Sequence, residues 1–133
     1  MPAAKKPPAP KPSPPPRREA DVILDVEVDG GALHFVLACT GPAPAHAVRV
    51  RFSRVLRDLA GLRLNDNPLF TQLEFMAPGK RVRLFVDTLA GYTQRRQPMR
   101  FEVKLEWCDD DGEPHRRSLT HDLAAWTALR DIL

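Results

Sequence analysis

The sequence predicts an all-β fold: a two-sheet sandwich of about seven strands, ending in a short helix and preceded by a disordered arm. Three observations predict it. From Asp21 onward, apolar residues recur at every second position, the period of a half-buried strand. Clusters of Gly, Pro, Asn and Asp interrupt that pattern at roughly the 8–12-residue spacing of a sandwich. Residues 20–133 are also enough chain to close one core without staples.

The elements follow in order. Val22, Leu24, Val26 and Val28 alternate with Ile23, Asp25, Glu27 and Asp29, and Asp29-Gly30-Gly31 supplies a turn. Leu33, Phe35, Leu37 and Cys39 alternate with His34, Val36, Ala38 and Thr40 until Gly41-Pro42-Ala43-Pro44 breaks the run. Val48, Val50 and Phe52 make a third strand with Arg49, Arg51 and Ser53 outward. Residues 54–71 are irregular: Val55, Leu56 and Leu59 fit either a helical turn ended by Gly61 or more strand, and Asn65-Asp66-Asn67-Pro68 reads as a turn. Leu73 and Phe75 predict a short strand, Pro78-Gly79 a turn, and Val82, Leu84 and Val86 a further strand. A polar loop spans Gly91 to Pro98. Phe101, Val103, Leu105 and Trp107 then alternate with Arg100, Glu102, Lys104 and Glu106, and Asp111-Gly112 turns into a polar, arginine-bearing edge strand at 114–121. Leu123, Trp126 and Leu129, spaced by three behind Asp122 as N-cap, predict a short helix that lays Trp126 on the domain. The expected core rests on Phe35, Leu37, Val50, Phe52, Val82, Leu84, Phe101, Val103, Leu105 and Trp107.

The chain divides into an arm, residues 1–19, and the sandwich domain, 20–133. Eight of the 14 prolines lie in the first sixteen residues, and no large apolar residue follows Met1 there. Such a stretch cannot bury enough surface to offset its ordering entropy, which predicts a disordered, polyproline-like arm. The arm holds five basic side chains and Glu19, so the chain's +3 leaves 15 basic against 16 acidic residues, a net −1, on 20–133. The basic character belongs to the arm, and a folded domain that reads nucleic acid would show a basic surplus of its own. No apolar h-region follows the basic start and no run approaches a membrane span, which predicts a cytoplasmic location, no membrane insertion and reduced thiols.

The segment Cys39-Thr40-Gly41-Pro42-Ala43-Pro44-Ala45-His46-Ala47-Val48, with Ala77-Pro78-Gly79-Lys80 after it, resembles the bacterial immunoglobulin-like group that includes CARDB-like and fibronectin type III-like domains. Cys39 stands where that group often has Asn. The resemblance covers most of residues 21–121 as a pattern. It implies an immunoglobulin-like sandwich and the adhesive or structural role of a module in larger proteins; fold alone assigns no function.

Chemistry-bearing residues are sparse. Cys39 shares the inward phase of Phe35 and Leu37, whereas Cys108 falls out of phase with Trp107, so a core disulfide is not expected. Asp109-Asp110-Asp111-Gly112-Glu113 offers hard oxygen ligands without EF-hand spacing and reads first as a hairpin turn. His34, His46, His115 and His121 show no zinc-ligand spacing, and Ser13, Ser53 and Ser118 sit in no nucleophile motif. The sequence predicts no catalytic residue, no metal and no cofactor. What remains is binding. Pro12, Pro15 and Arg17 fit the Pro-x-x-Pro-x-Arg pattern read by polyproline-binding grooves. Ile23, Val36 and Phe85 share an outward phase and would form a small apolar patch, either covered by the 54–71 segment or the C-terminal helix or free for a protein partner or a second copy. The expectation is a non-catalytic interaction or structural module within a larger assembly; the alternative is a nucleic-acid accessory protein that binds through its basic arm.

Overall fold

The computed structural model describes residues 19–130, with side chains to Thr127. The expected roles of Pro12, Pro15, Arg17 and Leu129 lie outside these described residues or side chains. Seven strands form two antiparallel sheets. The strands are β1 (Val22–Asp29), β2 (Ala32–Cys39), β3 (Ala45–Phe52), β4 (Leu73–Met76), β5 (Arg81–Thr88), β6 (Arg100–Cys108) and β7 (Pro114–Asp122). One sheet has the order β1-β2-β5 and the other β4-β3-β6-β7, so β4 joins β3 instead of extending the first sheet. Three short helices join them: α1 (Pro68–Thr71), α2 (Leu89–Gln94) and α3 (Ala124–Arg130).

The alternation in the sequence places the core between the sheets. Val22, Leu24 and Val26 of β1, Leu33, Phe35 and Leu37 of β2, Val48 and Val50 of β3 and the whole set Phe101, Val103, Leu105 and Trp107 of β6 are buried. Phe35 of the first sheet meets Phe52 and Phe101 of the second with ring centroids 5.8 Å apart in both pairs. Phe52 and Leu84 are only half-buried at the rim of this core, and Val82 is half-buried outside it. The β1–β2 hairpin needs positive φ at both turn residues, and Gly30 (57°) and Gly31 (81°) supply it. Gly41 serves a different need: a Cβ there would lie 2.4 Å from the Glu19 carbonyl oxygen, so only glycine lets the β2–β3 crossover pass under the start of β1.

The two sheets are also closed at one corner by side chains. His121 of β7 donates from Nε2 to the Leu24 carbonyl of β1 (2.7 Å), the Trp107 indole donates to the Ala20 carbonyl (3.2 Å), and Arg117 pairs with Asp21 at 2.6 Å. The free edge of β1 is thereby covered by β7 without strand pairing. Like the expected edge strand, β7 is polar and lies at the margin of its sheet.

Three elements differ from the sequence expectations. Residues 54–63 form neither helix nor strand. Residues 89–94, expected to be loop, form α2: Thr88 caps it by accepting the Gly91 N–H (3.0 Å), and Tyr92 is fully buried with its hydroxyl donating to the Pro98 carbonyl. Burial holds the Tyr92 phenol well above its ordinary value. Trp126 does not seat in the domain. It remains 37% exposed, and Leu123, just before α3, supplies the buried contact instead.

The end of α2 carries a testable strain. Gln97 N–H bonds the Tyr92 carbonyl and Arg96 N–H the Thr93 carbonyl, a Schellman cap in which Arg96 takes φ 55°. That conformation costs a non-glycine residue about 1–2 kcal/mol, partly offset by the extra freedom glycine has when unfolded. Arg96→Gly is therefore expected to raise stability by about 0.5–1 kcal/mol, seen as a higher urea midpoint at unchanged m-value.

Candidate functional site

The outer face of the β1-β2-β5 sheet is the first candidate surface. Its register aligns Ile23 with Ala38 and Arg81, Asp25 with Val36 and Arg83, and Glu27 with His34 and Phe85. The expected patch of Ile23, Val36 and Phe85 is not continuous, and Val36 is corrected from exposed to buried. Arg81 bonds Glu27 at 2.6 Å and Arg83 bonds Asp29 at 3.2 Å, so both guanidinium groups reach from β5 to β1 across the central strand. Val36 sits on the central strand between Asp25 and Arg83 and is 1% exposed. Ile23 is half-buried and Phe85 is 45% exposed. Phe85 meets the ring edge of His34 at 5.6 Å, and the His34 Nδ1 atom is buried with no hydrogen-bond partner. What remains there is one exposed aromatic ring beside an ion-paired lattice.

The acidic β6–β7 turn is the second. Asp109, Glu113 and His115 bring one ligand atom each within 4.8 Å of one another. The oxygens of Asp109 are already engaged: Oδ1 accepts the N–H groups of Asp111 (3.0 Å) and Glu113 (2.9 Å), and Oδ2 accepts from His115 Nε2 (3.2 Å). His115 stacks on Trp107 at 5.8 Å, which fixes the ring, and Gly112 turns the chain at φ 78°. This is hairpin architecture, as the Asp-Gly signal suggests. The His115 hydrogen bond, followed by the Glu113 N–H, holds the Asp109 carboxyl below its ordinary 3.8. A depressed carboxyl stabilises the folded hairpin above that ordinary value and loses the effect as pH falls through the lower folded one. The protection of the Asp111 and Glu113 amides, relative to their intrinsic exchange rates, is thus expected to fall as pH drops below 3.8, and Asp109→Asn should flatten that response.

Cys39 and Cys108 are both free thiols. Cys39 is buried against the Ala43 carbonyl (3.4 Å), and burial raises its pKa, which leaves it an unreactive apolar filler.

The third surface is one that the sequence reading did not single out. After β3, residues 54–63 double back in a tight loop closed by an Arg57–Arg63 bridge. Asp58 Oδ1 accepts from Ala60 N–H (3.0 Å) and Leu62 N–H (2.9 Å), and Arg57 donates to the Gly61 carbonyl (3.0 Å). Outside contacts anchor the loop further. Leu59 N–H bonds Val86 of β5 (2.8 Å), Gln97 Oε1 accepts from Arg57 N–H (2.9 Å), and Asn65 bonds both Leu56 N–H and the Arg54 carbonyl. Leu56 is buried beneath it. Leu59 and Leu62, 55% and 67% exposed, are held out at the tip, and Val55 of the same loop is exposed as well. The only sequence signal was a set of apolar residues around Gly61 that fitted no period.

The described residues contain no helix long and apolar enough to cross a membrane. A family model described as a domain of unknown function (DUF8453) matches residues 16–127. No curated protein and no solved structure matches the chain.

Proposed function

We propose that this chain, which belongs to the DUF8453 family, is a non-catalytic interaction module that works in a larger assembly and engages a protein partner through the Leu59–Leu62 tip. The observation that carries this reading is the combination of exposure and rigidity. Of the six large apolar side chains exposed among the described residues, three (Val55, Leu59 and Leu62) lie in this single loop, which concentrates them far beyond a scattered surface. A loop already fixed by its own hydrogen bonds loses little further freedom on binding, so the apolar contact is retained as affinity.

The Leu59→Ser/Leu62→Ser double variant tests it. Both side chains are solvated, so the thermal midpoint should stay close to that of the parent. In size-exclusion with light scattering and in pull-downs, the parent is expected to give a defined complex or self-association that the variant loses. A parent that stays monomeric and captures nothing, or a variant that binds equally well, removes the proposal.

A further inference from the structure

A different part of the second sheet has an incomplete edge. The Ser53 N–H bonds the Glu102 carbonyl (2.9 Å), and β3 pairs with β6 in the register Arg49↔Glu106, Arg51↔Lys104. In an antiparallel ladder the bonding residues alternate, so Arg49, Arg51 and Ser53 point their backbone groups at β6. Those of Val50 and Phe52 point the other way, toward β4. But β4 is only four residues long, and its pairing with β3 stops at Val48↔Leu73. On the side away from β6, no strand lies beside Val50–Phe52 among the described residues. α1 packs along that edge, with Phe70 against Phe52 (5.2 Å), and a cleft of about 550 Å³ opens beside them. Val50, Phe52, Phe70, Asn65 and Thr71 line it together with Arg49 and Arg51.

The charge at that cleft is unbalanced. Arg51 and Lys104 are direct cross-strand partners, both exposed, and like charges so placed destabilise a sheet. Neither has a carboxylate within ion-pair distance among the described residues, whereas neighbouring Arg49 is taken up by Glu74 (2.8 Å) and the Leu73 carbonyl (3.0 Å). A second hollow of about 200 Å³, lined by Arg51, Ser53, Glu102 and Lys104, lies on the far side of Arg51.

We propose that this cleft takes an extended acidic peptide strand, which continues the sheet along Val50–Phe52 and sets a carboxylate between Arg51 and Lys104. The unpaired backbone groups supply main-chain pairing, the half-buried Phe52 ring takes an apolar side chain facing inward, and the cation pair selects an acidic one facing out. Alternation of apolar and acidic residues is the pattern such a ligand needs. The inference rests on the chain being an interaction module, but not on the Leu59–Leu62 tip.

The test is an amide-shift titration of the full chain with an acetylated, amidated hexapeptide alternating valine and glutamate. Saturable shifts are expected at the Val50 and Phe52 amides, with affinity about tenfold weaker in Arg51→Ser/Lys104→Ser, the loss of a charge-assisted contact. Leu59→Ser/Leu62→Ser should bind the peptide like the parent, which separates this cleft from the tip. Three results would overturn the proposal: no change at those amides up to about 1 mM peptide, equal binding of a valine–lysine hexapeptide, or acetate alone reproducing the shifts, which would make it a small-anion site.

Discussion

Phe35→Ala is expected to destabilise the domain by about 3–5 kcal/mol, the range for truncating a fully buried aromatic. Domain stability is only about 5–15 kcal/mol in total, so the variant should be near its unfolding threshold at room temperature. Phe35 is fully buried on the central strand of one sheet and touches Phe52 and Phe101 of the other, so the cavity would open where the two sheets meet. Neither sheet can collapse into it without losing register with its own neighbours. Phe35→Leu keeps most of the volume and should lose less than half as much. Urea unfolding of the two variants checks the ranking; equal, small losses would mean the sheets do not depend on this ring cluster.

Arg95→Met should cost about 2–4 kcal/mol although its side chain is 42% exposed. The reason lies in its partner. Asp87 is wholly buried at the end of β5, where its carboxylate pairs with Arg95 and accepts the Thr88 N–H (2.6 Å). Removing the cation leaves a buried charge without compensation; breaking fully buried pairs costs about 3–5 kcal/mol, and solvent at the arginine lowers that somewhat. Asp87→Asn with Arg95→Met should lose much less than the two single losses added together, because the stranded charge has gone. Additive losses in this cycle would show that the pair is not coupled. Gly91 confines the same site: a Cβ there would sit 2.8 Å from Asp87 Oδ1.

The sandwich was legible because its core strands keep strict alternation. β6 buries every residue its pattern assigns, and β1 buries Val22, Leu24 and Val26 and half-buries Val28. The burial of Val36 was harder to read, since it goes with the central position of β2 between β1 and β5. The near-continuous apolar run Phe35-Val36-Leu37-Ala38-Cys39 was the local hint that both faces are covered. α2 was hidden by Gly91 and by the polar residues after Tyr92, although Thr88 is a good cap. The tip and the cleft could not be read at all. Leu59 and Leu62 are exposed only because Asp58, Gln97 and Asn65 fix the backbone around them. The open edge of β3 exists because β4 is short, and the Arg51–Lys104 juxtaposition appears only once the β3–β6 register is known.

The odd number of strands has a mechanical consequence. Val22 begins β1 beside Cys39 and Lys80, whereas β7 ends at Asp122 beside Arg100, at the other end of the strands. Chain entering ahead of Glu19 and chain leaving after Asp122 therefore attach at opposite poles, about 25 Å apart for strands of eight residues or so. The Leu59–Leu62 tip lies at the exit pole, next to the end of β5. A pull between a tether on the entry side and a partner on the tip would run parallel to the strands. It would load their hydrogen bonds side by side rather than one after another.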